Sequence, residues 1–358
     1  MKKARLVCLL VLTLVLTSVL AACSSTRYYY QIAHGHLSLL ATAEPVEDVL
    51  AVADPEVAAA LELVQGARTF AKAQLGLSFN DSYTSYVDLG RDYVVQNLYV
   101  APEFSTQLHS WCYWIIGCAN YRGFFDAGLL EKQRDSFGQR GFDTYVSPVT
   151  AYSTLGWFDD PVLSTFVDLP DYRLFGLIIH ELAHQHLYVE GDTFFNESFA
   201  MAVERAGMAR FYQDAAKRQL TAYHEHLDRV SAITDLAIRT RTALEDLYRQ
   251  RIAIPEMRRR KTELLEAARR DYGELTGRTD AVFNNASLGA VAAYNKYVAA
   301  FEAMLAAAQG DLPRFYAHAR RLGGLAPLAR EECLEQWLAS TIRGPAAVAA
   351  PCRAVPPH

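Results

Sequence analysis

His180-Glu181-Leu182-Ala183-His184 is the stretch of this 358-residue chain whose residue types and spacing point most directly to chemistry. Positions i and i+4 of a helix share a face, so both imidazoles can reach one ion. Glu181, between them, is placed to take a proton from water held at that ion. Thirteen residues past His184 stands Glu197, within Asn196-Glu197-Ser198-Phe199-Ala200. Two imidazoles and one carboxylate make a three-donor set with one position left open, the arrangement of catalytic zinc sites. The expected cofactor is one Zn2+ on His180, His184 and Glu197, with Glu181 as general base. Glu204 lies seven residues beyond Glu197 and faces the same side of its helix. There it can accept a hydrogen bond from the outer nitrogen of His180 or His184, or face a substrate amine. A buried ion pair with an arginine is the competing reading of Glu204.

These donors need two helices. The apolar run Leu174, Phe175, Leu177, Ile178 and Ile179 puts the first motif on a buried helix. Gly191-Asp192-Thr193 supplies a turn. Thr193 is the expected cap of the second helix, which returns Glu197 toward the first and runs on to Ala215.

The surrounding chain reads as α+β. A helix begins at Tyr28, and Val46–Leu75 is helical with a start at Asp54-Pro55. Tyr83–Leu89, Tyr93–Ala101, Trp111–Ala119 and Thr144–Thr154 are rich in Val, Ile, Tyr and Trp and read as strands. Glu131–Arg140 is a helix before the last of them. After the two motif helices the chain is almost all helical. Ala216–Arg251 and Pro255–Tyr272 form a long helical hairpin turning near Ile252–Pro255. Asn285–Ala308 and Leu312–Leu322 are further helices. Residues 23–343 are expected to form a single domain around that zinc site. Its sheet-containing part is about 76–170, its zinc helices about 171–215, and its helical part about 216–343. Residues 344–358 form a Pro- and Ala-rich tail.

Residues 1–22 have the form of a lipoprotein signal peptide. Lys2, Lys3 and Arg5 precede an apolar stretch from Leu6 to Leu20, and Leu20-Ala21-Ala22-Cys23 matches the bacterial lipobox. Cys23 is then the lipidated first residue of the mature chain. With Ser24 after it, the expected location is the outer membrane, facing the periplasm. Export to an oxidising compartment makes Cys112, Cys118, Cys333 and Cys352 candidates for disulfides, with three possible connectivities. Local pairing, Cys112 with Cys118 and Cys333 with Cys352, is the simplest. A straight strand would separate Cys112 from Cys118 by about 20 Å. A bridge needs Cα atoms within about 7 Å, so this pairing requires a bend around Tyr113–Gly117. The net charge of −5 gives no sign of a nucleic-acid surface. The one basic run, Arg258-Arg259-Arg260-Lys261, reads as a solvated helix face.

His180–His184 with Asn196-Glu197-x-x-Ala200 resembles the gluzincin branch of zinc metallopeptidases. The narrower likeness is to the bacterial family called predicted aminopeptidase. It is carried by Tyr28-Tyr29-Tyr30-Gln31, Tyr121-Arg122-Gly123-Phe124-Phe125, Ala151-Tyr152-Ser153-Thr154-Leu155-Gly156-Trp157-Phe158 and Phe195–Ala200, and by Asn284-Asn285-Ala286 followed by Tyr294. The resemblance implies a zincin-like small mixed sheet ahead of the H-E-x-x-H helix. It implies a zinc-dependent peptidase, an aminopeptidase by family name, acting on peptides at the cell envelope. An oxyanion donor from a tyrosine after the ligands is also implied. Tyr294 is the first candidate, and Tyr212 and Tyr152 are rivals. In such enzymes the strand before the zinc helix binds the substrate backbone, here Val149–Trp157, with Gly156 permitting close approach. Asp159 and Asp160 near its end could hold a positive amino terminus. Asn285 falls by the same likeness beside the donors or the substrate. The Gly-Ala-Met-Glu-Asn stretch that holds the amino terminus in well-studied gluzincin aminopeptidases is absent, so internal cleavage stays open. The alternatives are an envelope endopeptidase or processing protease, and a non-catalytic lipid-anchored binding protein that kept its zinc site. The intact Glu181 argues for turnover.

Overall fold

The computed structural model describes residues 26–113, 117–151, 153–154, 156–212, 217–292, 296–343 and Cys352. The expected signal segment and Cys23 lie outside them. Leu174, Phe175, Ile178, Ile179 and Leu182 recur at helical spacing on α6 (Asp171–His186), and all are buried. They join one core with Leu61, Val64, Ala67 and Ala71 of α3 (Pro55–Gln74) and with Phe195, Phe199 and Val203 of α7 (Thr193–Phe211). Each large side chain buried this way contributes about 1.5–3 kcal/mol. That core fixes the rotation of α6. Leu177, His180, Glu181 and His184 fall on the adjoining stripe, where the helix period brings them together.

Ahead of α6 the chain is mixed. Helix α1 (26–41) leads into β1 (Glu44–Pro45), α2 (Val46–Leu50) and α3. Then come β2 (Ser85–Val87), β3 (Val95–Ala101), β4 (Trp111–Tyr113), β5 (Gly117–Ala119), β6 (Arg122–Phe124), α4 (Ala127–Gln139), β7 (Asp143–Val149), β8 (Val162–Leu163) and α5 (Ser164–Val167). The class is α+β, but the strands do not join into the one small mixed sheet expected from the sequence. Among the described residues they form three separate sheets, ordered β1-β2-β8, β6-β3-β7 and β4-β5. The first is mixed, since β1 runs antiparallel and β8 parallel to β2. The second is wholly antiparallel, with Gln96 opposite both Phe124 and Pro148.

Side chains alternate across β3. Leu98 and Val100 point into a cluster with Tyr28, Trp111, Phe124, Leu130 and Phe137. Tyr99 points the other way, into a cluster with Tyr121, Tyr145, Ala286 and Ala290. The run Trp111–Ala119 is two short strands. Cys112 is paired with Cys118 in register and bonded to it, and Tyr113 pairs with Gly117, so the chain reverses between them. The expected strand to Thr154 stops at Val149.

After α7 come α8 (Lys217–Tyr248) and α9 (Ile254–Thr276), packed as a hairpin. Beyond them lie α10 (Asn285–Ala292), α11 (Val298–Ala307), α12 (Leu312–Gly323) and α13 (Pro327–Arg343). The helix expected over Asn285–Ala308 is thus two helices, and α13 is additional to the expected elements. The basic run on α9 is engaged in ion pairs. Arg258 reaches Glu103, Arg259 and Arg260 reach Glu256, and Lys261 is buried against Asp143 of β7 at 2.7 Å. Lys261 therefore ties the hairpin to the β6-β3-β7 sheet and leaves the solvated face expected for it. Cys333 of α13 is bonded to Cys352, whose carbonyl accepts hydrogen bonds from the Trp337 indole and contacts the His318 ring. No helix among the described residues is long and apolar enough to cross a membrane.

Candidate metal centre

Helices α6 and α7 are joined by a turn whose shape is set by side chains. Asn196 is buried and clamps Val189 from both sides: its Oδ1 accepts from the Val189 amide at 2.7 Å and its Nδ2 donates to the Val189 carbonyl at 2.8 Å. Asp192, and not Thr193, caps α7, accepting from the Phe195 amide at 3.0 Å. Thr193 is the first helical residue. Both types are good caps. Asp192 also accepts from the buried Arg330 at 2.7 Å, a partner that a neutral Thr hydroxyl would not match.

With the turn held, Glu197 lies opposite the first helix. Its Oε2 is 3.3 Å from His180 Nε2 and its Oε1 is 3.8 Å from His184 Nε2. One donor atom from each of the three residues lies within 4.8 Å of the others. Tetrahedral ligands at about 2.1 Å from an ion stand about 3.4 Å apart, so this spacing suits a zinc-sized ion. The donor set also fits by chemistry, being two imidazoles and one carboxylate.

The outer nitrogen of His180 is engaged. Its Nδ1 is 3.2 Å from Glu204 Oε2, and Glu204 Oε1 accepts from the Tyr223 hydroxyl of α8 at 3.2 Å. This is the contact that fixes which nitrogen of a metal-binding histidine is free. Gly176 makes room for it: a Cβ there would stand 2.9 Å from Glu204 Oε1. His184 Nδ1 is buried without a hydrogen-bond partner among the described residues.

Electrostatics follow from burial. Burial, reinforced by the charges of Glu197, Asp160 and Glu204, pushes the Glu181 carboxyl up to about 7 against the pull of His180. Burial lowers His184 to about 4. For His180 burial also opposes charge, but the bonds with Glu197 and Glu204 outweigh it and hold the ring well above its ordinary value. Glu197 is held below the usual carboxylate range, since His180 and His184 outweigh its burial.

Other expected site residues are distributed differently. Tyr294 and Tyr152 lie outside the described residues. Tyr212 is packed on Phe175 and Phe211 near Asp171, at the end of α6 remote from the histidines, which removes it as an oxyanion donor. Asn285 is buried and fully engaged elsewhere. It donates to the Pro102 and Glu103 carbonyls and accepts from Tyr248, so it braces the end of β3 and not the donors. Asp160 is buried, accepts from the Thr154 amide at 2.8 Å, and has its carboxyl raised by burial. Asp159 accepts from the Asp81 amide. Asp160 is thus committed to the loop around Ser153 and Thr154, whereas Asp159 is exposed and accepts this bond on Oδ1. Gly156 sits in that loop at φ 82° against Gln185, the neighbour of His184, and its carbonyl faces Asn80.

Sequence reasoning gave no role to Gly176, Tyr223, Tyr121 or Tyr188. A glycine among the large residues of α6 was the available signal, because it costs about 1 kcal/mol in a helix and so marks a close approach. Tyr188 lies 6.4 Å from the His184 ring, and its phenol is raised by burial and by Glu197. Tyr121 is raised by burial, then by Tyr99 and Glu197. Comparisons with curated proteins and with solved structures give no match. Residues 27–334, from α1 into α13 and including every donor above, match the family described as "Putative aminopeptidase", and the chain belongs to that family.

Proposed function

We propose that this protein is a zinc-dependent peptidase of the gluzincin kind, with His180, His184 and Glu197 as metal ligands and Glu181 as general base. The observation that carries the reading is the convergence of those three donors, with the half-buried Glu181 on the same helix as the two histidines. The family name points to an aminopeptidase and implies a peptide substrate. A zinc ion held there would lower the pKa of a coordinated water and polarise the scissile carbonyl. Glu181 takes the proton of the attacking water and passes it to the leaving amine. Glu204 accepts from His180 Nδ1 and so leaves His180 Nε2 free for the metal. The oxyanion donor is one of the surrounding phenols. Tyr294 and Tyr152 are the sequence candidates, and Tyr188 and Tyr121 stand near Glu197.

The test is metal analysis of the folded protein together with cleavage of a mixed peptide library read by mass spectrometry. The expected result is one zinc per chain and zinc-dependent hydrolysis. Successive loss of single amino-terminal residues identifies an aminopeptidase, and internal cuts an endopeptidase. Stoichiometric zinc with no cleavage of any peptide would favour a binding protein that kept the site.

The envelope location rests on the lipobox at Leu20–Cys23. Cys23→Ser is expected to move the protein from the membrane fraction to the soluble envelope fraction, because that cysteine carries every acyl chain. Membrane association that survives the change, with no acyl label on the wild type, would contradict the lipoprotein reading.

A further inference from the structure

A cavity of about 340 Å³ opens between the front of the β6-β3-β7 sheet and α10. Tyr99 and Tyr145 form part of its floor, Ser147 stands on the β7 side, Ala290 and Val291 come from α10, and Leu177 comes from α6. One turn of α6 connects it to the donor group. Leu177 is four residues before Glu181 and three before His180, so it sits one helical turn, about 5 Å, along the same face. At the other end Tyr99 lies 5.6 Å from Tyr121. Among the described residues every side chain lining the cavity is uncharged: phenols, aliphatic groups, the Ser147 and Thr150 hydroxyls and the Asn97 amide. Both strand alternation and the small Ala290 keep the space open, since Asn97 and Tyr99 on β3 and Tyr145 and Ser147 on β7 share this face.

The geometry points to this cavity as the place where an uncharged, apolar side chain of the peptide substrate docks beside the bond that Glu181 serves. This inference rests on the peptidase reading and names its substrate class. A charged side chain entering the cavity would lose its water and find no countercharge. A leucine or phenylalanine would exchange water for the ring faces of Tyr99 and Tyr145 and the methyl groups of Leu177 and Val291. Apolar cavities of this sort discriminate by roughly 10- to 200-fold.

The experiment uses the zinc-loaded protein and a set of otherwise identical peptides that differ at one position: Leu, Phe, Asp or Lys. The expected result is a kcat/KM at least ~10-fold higher for Leu and Phe than for Asp and Lys at one position flanking the cut. Ser147→Asp, which places a carboxylate on the half-buried cavity wall, is expected to raise the Lys peptide at least ~10-fold relative to the Leu peptide without changing zinc content. Equal rates across the set, with zinc-dependent hydrolysis intact, overturn the cavity and leave the peptidase reading standing. If the wild type cleaves nothing, the peptidase reading falls. Titration calorimetry of the same peptides with zinc-loaded Glu181→Gln then decides the cavity separately: preference for Leu and Phe supports it, and equal affinity overturns it.

Discussion

Glu181→Gln is expected to lower peptide hydrolysis at least ~100-fold while fold and zinc content stay as in the wild type. Glutamine keeps the size of the side chain and most of its contacts, but it cannot accept the proton of the attacking water. The environment of Glu181 is suited to the role. Burial lifts its carboxyl to about 7, and a base that titrates near the working pH is strong enough to take a proton and weak enough to return it. The sign of the stability change follows from the same shift. A carboxyl whose folded pKa is raised is disfavoured in its charged form, so above its unfolded value near 4.5 the folded protein loses stability progressively as pH rises. Gln removes that burden. The variant should therefore melt no lower than the wild type at pH 8, and a large fall in melting temperature would mean that the activity loss reflects unfolding. Steady-state rates on the best library peptide, circular dichroism and zinc analysis together make the measurement. Wild-type turnover in the variant would remove Glu181 from the mechanism.

The second large effect concerns the metal donors. Glu197→Ala should weaken zinc binding by more than Glu204→Gln does, because it deletes a donor where the other only releases an oriented imidazole. Loss of a carboxylate that orients a metal-binding histidine typically costs about 10- to 100-fold in affinity. That is the expected size for Glu204→Gln, whose partner is His180 Nδ1 at 3.2 Å. Competition with a chromogenic chelator ranks the two variants on one scale. Unchanged affinity in Glu197→Ala excludes it as the third ligand. Unchanged affinity in Glu204→Gln would reduce its bonds to His180 and Tyr223 to a packing role.

The parts of this site that were legible in the sequence are those fixed by local periodicity. His180, Glu181 and His184 share a helix face by their spacing alone, and Glu204 follows Glu197 by two turns. The turn between α6 and α7 was legible as a turn, but its cap was misassigned by one residue. Asp192 is selected over Thr193 by Arg330, 138 residues away in the chain. Distance along the chain accounts for the other differences as well. Asn285 was expected near the site, but its partners lie at Pro102, Glu103 and Tyr248. The segments holding β2, β3, β4, β5 and β7 were legible because composition and alternation are local, but β1, β6 and β8 were not, and the division into three sheets depends on pairings such as Tyr86 with Val162. The influence of Glu197 on the Tyr121 phenol has no local signature at all, since the two residues are far apart in the chain.

The glycines where α6 and α7 approach have a consequence for how the protein would gain and lose the proposed ion. A Cβ at Gly207 of α7 would stand 3.1 Å from Leu75 and 3.2 Å from Ile179 of α6, and one at Gly176 of α6 would meet Glu204 of α7. At both glycines a side chain of the facing helix takes the space that a Cβ would need, so the two donor-bearing helices pack closely there. In many small zinc proteins capture of the ion is the folding event itself. Here an apolar core already fixes both helices, so the donors are assembled before an ion arrives. Zinc would then stabilise the native state by mass action alone, in proportion to its free concentration over its dissociation constant. A molecule stripped by a chelator would then keep its shape and wait, ready to reload when metal returns.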